Sequence, residues 1–76
     1  MFLEVSNAVY LENYRISLTF NNGVTKTVDL QSELNGKVYE PLRQLENFKK
    51  FQVKYNTIEW ANGADYAPEY LYEIGI

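Results

Sequence analysis

Between positions 14 and 20 the chain reads YRISLTF, and its side chains alternate. Tyr14, Ile16, Leu18 and Phe20 fall on one face, with Arg15, Ser17 and Thr19 on the other. A period of two is the mark of a strand with one buried face. After Asn21-Asn22-Gly23 the alternation resumes in VTKTVDL, with Val24, Val28 and Leu30 in phase. Parity between the two runs sets the length of the loop. A two-residue turn at Asn22-Gly23 would set Ser17 against Val28, polar against apolar. A three-residue loop instead sets Phe20 against Val24 and Ile16 against Val28. The pattern therefore predicts the loop Asn21-Asn22-Gly23, with Gly23 left-handed in a bulge. Lys26 then points to the apolar side, to snorkel at a rim or guard an edge. Upstream, Leu3, Val5, Val9 and Leu11 share a face, with a bend or bulge expected near Ser6-Asn7. A tight turn at Glu12-Asn13 would lead into the Tyr14 strand and complete a three-strand antiparallel meander.

The period then changes. DLQSELNG suits one helical turn stopped by Asn35-Gly36. EPLRQLENFKKF carries the main helical signal, with Pro41 in a first turn and Leu42, Leu45 and Phe48 at near-helical spacing. Lys49 and Lys50 fall in its last turn, where the helix dipole favours cations. FQVKY and IEW read as a hairpin across Asn56-Thr57, pairing Tyr55 with Ile58 and Val53 with Trp60. Threonine suits a turn of positive dihedrals poorly, which makes this tip the weakest fit to the pattern.

In WANGADYAPEYLYE, Trp60 ends the strand on its inner face and Asn62-Gly63 turns the chain. Asp65 is placed to accept amide hydrogen bonds at the start of a short terminal helix. Pro68 belongs in that helix's first turn, and Leu71 and Ile74 would face the sheet. The fold class is α+β: an antiparallel β-meander of about three strands, one main helix, a C-terminal β-hairpin and a short terminal helix.

Composition narrows the class further. Seventy-six residues suit a single compact domain spanning 1-76. The chain has no cysteine and no histidine, which removes thiolate metal sites and the commonest bases and nucleophiles. The N-terminus lacks the basic-then-apolar pattern of a secretory signal, and no apolar run reaches the length of a membrane span. A cytoplasmic protein without membrane contact is expected. The formal net charge is −3, so direct nucleic-acid binding is not expected. Its distribution is uneven. From Thr57 to Ile76 the only charges are Glu59, Asp65, Glu69 and Glu73, whereas Arg43, Lys49, Lys50 and Lys54 face Glu46 alone. The basic group reads most simply as a solvated helix face.

The order Trp60, Asn62-Gly63-Ala64-Asp65, Pro68, Leu71-Tyr72 resembles the signature of a small bacterial family, domain of unknown function 2442. The likeness extends upstream to YRISLTFNNGVTKTVDL and PLRQLENFKKFQV, and so covers almost the whole chain. The sequence departs from the family pattern at Gln44, where an acid often caps the helix, at Ala61, often proline, and at Ala67, often acidic. The resemblance implies a compact α+β domain with no established chemistry. It also implies relatives that stand alone or are joined to a helix-turn-helix domain, some beside another small family in arrangements suggestive of toxin–antitoxin pairs.

Candidate chemistry is sparse. Asp65 and Glu69 could lie one helical turn apart, yet two carboxylates make a poor cation cage, and a capping acid beside an exposed one is the simpler reading. NGVTK has one glycine and cannot form a phosphate nest. No enzymatic activity, metal or cofactor is expected. The tyrosines carry more information, because Tyr66, Tyr70 and Tyr72 cannot all be core in so short a helix. Tyrosine offers wide contact area with a polar tip. With Glu69 and Glu73 they make the candidate partner-binding set, while Trp60, Asn62, Gly63, Ala64, Asp65, Pro68 and Leu71 form the structural motif. The expected function is a protein-interaction or regulatory module, antitoxin-like, that masks a more basic small protein; a homodimer is compatible with it. The alternative is a small-ligand-binding or DNA-associated regulatory domain working through a separate helix-turn-helix subunit.

Overall fold

The computed structural model describes residues 2–76. β1 (Val5–Tyr10), β2 (Arg15–Phe20) and β3 (Thr25–Asp29) form an antiparallel sheet in that order. Ile16 stands opposite Val28, and the Phe20 N–H donates to the Val24 carbonyl at 2.8 Å. Gly23 turns with φ +86, as the three-residue loop requires. Ile16, Leu18, Phe20 and Val28 are all buried.

β1 carries the expected bulge: Val5 opposes Phe20, but Asn7 opposes Thr19. That extra residue splits the face drawn from Leu3, Val5, Val9 and Leu11. Val5 is buried, but beyond the bulge Ala8 and Tyr10 turn inward, opposite Leu18 and Ile16. Val9 and Leu11 are left 51% and 47% exposed. A one-residue shift exchanges the two faces of a strand, which is why simple alternation failed past Ser6. The turn into β2 is also one residue longer than expected. The Leu11 N–H donates to Arg15 O at 3.0 Å, and the Arg15 N–H to Glu12 O at 2.8 Å. Asn13 takes the left-handed position with φ +49.

The main helix is broken. Glu40–Arg43 forms a 3-10 turn, Gln44 is extended (φ −84, ψ 120), and α1 (Leu45–Phe48) is a single α-helical turn. Leu42 and Phe48 are both buried. Six residues apart on a continuous α-helix they would point roughly 120° apart, so the break at Gln44 is what turns both inward. Gln31–Glu33 forms a further 3-10 turn.

In the second hairpin, β4 (Gln52–Lys54) pairs with β5 (Thr57–Glu59) two residues out from the expected register, the turn itself moving by one: Val53 faces Ile58 and Lys54 faces Thr57. The turn residues are Tyr55 and Asn56, with φ +53 and +70, in place of Asn56-Thr57. The shift relieves β-branched Thr57 of a left-handed backbone. Thr57 is instead buried in the strand, its hydroxyl donating to Tyr66 O at 2.6 Å.

Past Trp60 the chain repeats the loop of the first hairpin. The Trp60 N–H donates to Ala64 O as Phe20 does to Val24, the Gly63 N–H to Trp60 O as Gly23 does to Phe20. The Asn62 and Asn22 amide oxygens accept from the Ala64 and Val24 N–H groups. This loop aligns Glu59 with Asp65 in a short bridge before α2 (Pro68–Ile74), where Pro68 occupies the first turn. Leu71 is fully buried on the helix's inner side, and Ile74 packs beside the core. Beyond α2, Ile76 exchanges two backbone hydrogen bonds with Thr27 and covers part of the β3 edge. One apolar core joins the meander, Leu30, Leu34, Leu42, Phe48, Ile58, Trp60, Tyr66 and Leu71. No described helix is long and apolar enough to cross a membrane.

Candidate functional site

The tyrosines of the last segment diverge into three environments. Because Pro68 starts α2 and Leu71 points inward, Tyr70 and Tyr72 flank Leu71 on opposite sides. Tyr72 leans toward the first hairpin. Its ring packs edge-on against Phe20 with centroids 5.0 Å apart, and Lys26 Nζ sits 4.0 Å from its centroid. Lys26 also donates to Tyr72 O at 2.7 Å. The lysine that alternation placed on the apolar side therefore neutralises a carbonyl in the last turn of α2, where the helix dipole favours a cation.

Tyr66 is core, not surface. It is 9% exposed and packs edge-on against Trp60 at 6.1 Å. This corrects the expectation that Tyr66 and Tyr70 share an exposed face. Tyr66 precedes the helix rather than lying on it, and its ring packs against Trp60 instead of facing outward with Tyr70. Its hydroxyl donates to Glu33 O at 2.8 Å.

Tyr39, Tyr66 and Tyr70 form a stacked row. Tyr39 and Tyr66 lie 4.9 Å apart with 17° between planes, Tyr66 and Tyr70 6.3 Å apart with 19°. The outermost ring, Tyr70, is 39% exposed, and its hydroxyl donates to the Glu33 carboxylate. Glu69 and Glu73 are exposed on the same helix, so the surface presents one phenol among three carboxylates. All three phenols are held above the ordinary tyrosine range. Burial is the main cause at Tyr39 and Tyr66, and the hydrogen bond to Glu33 at Tyr70. At neutral pH the row is fully protonated: a set of donors and flat apolar faces rather than bases.

Asp65 lies elsewhere in role. Its carboxylate makes no capping bond; the residue before α2 is Ala67, and no side chain caps the helix. What Asp65 supplies is its main-chain oxygen, which accepts from the Tyr39 hydroxyl at 2.6 Å. Asn62 does the polar work assigned to the acid, accepting from the Ala64 N–H and donating to Val38 O at 2.8 Å. Trp60 is buried, with Nε1 donating to Phe48 O at 2.9 Å. Gly63 has φ +88, and Ala64 is buried beneath the loop.

Two contributors were not foreseen. Glu33 and Tyr39 come from the connection between the sheet and the second hairpin, and no local spacing links them to residues 66–70. Among the described residues, no group of three or more acidic side chains converges to hold a metal ion. The geometry can offer hydrogen-bond donors, carboxylates and an aromatic edge to a partner of opposite charge.

Comparison with known proteins adds one match. Residues 5–76 fit the family described as "Protein of unknown function (DUF2442)". No curated protein and no solved structure matches the chain.

Proposed function

As the chain belongs to the DUF2442 family of proteins of unknown function, we propose a role argued from its surface: a non-catalytic cytoplasmic interaction module that binds a small basic protein. The observation that carries this reading is the outer side of α2, where half-exposed Tyr70 stands among Glu33, Glu69 and Glu73. A tyrosine already oriented by Glu33 loses less freedom on binding than a loose side chain, and aromatic anchors dominate interface energetics. The surrounding carboxylates favour a cationic partner and speed its approach at low salt. Masking such a partner is the antitoxin-like form of this activity.

The test is retention of a partner from native lysate. Wild type is expected to retain a stoichiometric small basic protein, and the double variant Tyr70→Ser/Glu73→Lys to lose it with little change in melting temperature. Equal retention by both proteins would rule this surface out. Recovery of a bound metabolite or a helix-turn-helix protein in place of a small basic protein would favour the ligand-binding or DNA-associated role.

A further inference from the structure

The end of the molecule built by residues 49–56 is opposite in charge. It carries Lys49, Lys50 and Lys54 and no acid. Among the described residues the ion pairs are those of Arg15 with Glu12 and Asp29, so these lysines are unpaired. Lys50 and Lys54 flank a depression of about 250 Å³ that Gln52, Glu59, Trp60 and Ala61 also line. At the tip stands Tyr55, 76% exposed, with Lys54 Nζ 5.2 Å from its ring centroid.

Tyr55 is unusual in its backbone. A bulky side chain at φ +53 is an outlier, and asparagine or glycine serves the first position of such a turn better. Nor is the tip loose, since Asn56 O accepts from the Val5 N–H at 2.8 Å and anchors the hairpin to β1. An exposed ring that adds nothing to the core is thus held in a strained conformation beside the unpaired Lys54. Strain of this kind concentrates where a side chain has a use.

A surface of matching chemistry exists on the same chain. The outer side of α2 offers Glu69, Glu73 and Tyr70 with Glu33, and no base lies between residues 55 and 76. We infer that the lysine-flanked Tyr55 tip docks on the acidic α2 surface of a second copy of this chain, head to tail. The inference rests on reading that surface as a protein-binding one. The tip is bonded to β1, and Ile76, two residues after α2's end, is bonded to β3, the opposite edges of the sheet. Such a pair keeps one free tip, on one copy, and one free α2 surface, on the other, so association is open-ended. It is also weakened by salt. A basic partner competes for the same α2 surface, so partner binding disassembles the self-associated form.

Neutralising each half separately provides the test. One variant carries Lys50→Ser and Lys54→Ser, the other Glu69→Gln and Glu73→Gln; all four residues are exposed. In sedimentation at low salt, the mean mass of wild type should climb past a dimer with concentration. Each variant alone should stay monomeric, and their equimolar mixture should stop at a dimer, joining the intact α2 surface of the first to the intact tip of the second. Tyr55→Asn should weaken wild-type association at least about tenfold while melting at the same temperature or higher. A wild type that stays monomeric, a mixture that never pairs, or a Tyr55→Asn protein that associates like wild type would each overturn the inference. So would a monomeric wild type whose tip lysines shift only on adding a single-stranded DNA oligonucleotide. Lysate retention by the α2 surface is read independently, so failure here leaves the proposed function standing.

Discussion

At Gly63 the chain turns with φ +88, at Gly23 with φ +86, and the two loops share their hydrogen bonds residue for residue. Phe20-Asn21-Asn22-Gly23-Val24 and Trp60-Ala61-Asn62-Gly63-Ala64 are one solution used twice: an aromatic to bury, an asparagine to accept the returning amide, and a glycine for the left-handed step. Nothing lies within 4 Å of a Cβ added at either glycine, so the cost of substitution is dihedral strain alone. Gly23→Ala and Gly63→Ala should each destabilise the fold by on the order of 1 kcal/mol, read from chemical-denaturation midpoints. Asn62→Ala should cost about 0.5–2 kcal/mol, by analogy with other local side-chain-to-amide caps, while Asp65→Ala should melt close to wild type. The reverse order would restore the acid as the residue that holds the connector.

Among the elements, the broken helix is the one whose sequence and geometry disagree most. Gln44 has the extended backbone of an N-cap, and its carbonyl accepts from the Asn47 and Phe48 N–H groups at 2.9 and 3.0 Å. Its side chain caps nothing. A short acidic side chain there could reach the free amides of the first turn and complement the dipole. Gln44→Asp should therefore stabilise the protein by roughly 0.5–1 kcal/mol, raising the melting temperature at neutral pH. The gain should fade as the pH falls below the carboxylate range. A neutral or harmful effect would mean that the break is held by Leu42 and Phe48 packing alone.

For the molecule as a whole, the stacked phenols couple stability to alkaline pH. Tyr39, Tyr66 and Tyr70 all have pKa values raised on folding. A raised phenol pKa leaves its contribution intact below the unfolded value of about 10. That contribution is lost as the pH climbs from there toward the folded value, because the unfolded chain ionises first. Stability should thus be flat from neutral to mildly alkaline pH and fall steeply above about pH 10. Tyr66→Phe should make that fall shallower, at the expense of the hydrogen bond to Glu33 O. An alkaline profile identical in wild type and Tyr66→Phe would remove Tyr66 as the source.

Local sequence was sufficient wherever a structural choice depended on near neighbours. The alternation of β2, the parity of the Asn21–Gly23 loop, the left-handed Gly23 and the inward Trp60 and Leu71 were legible because each follows from periodicity or from a dihedral that few residues accept. The tertiary structure decided the rest. The bulge that exposes Val9 and Leu11 was signalled at Ser6-Asn7, but its effect on the inner face depended on which residues β2 presented. The break at Gln44 appears only when Leu42 and Phe48 must reach one core. The Tyr55-Asn56 turn was chosen once Thr57 had a buried carbonyl to bond. For the candidate surface, the tyrosines and acids of α2 could be named from spacing, but not the separation of Tyr66 from Tyr70. That separation depends on Glu33, which lies 33 residues from Tyr66 and 37 from Tyr70 along the chain and meets both only after folding.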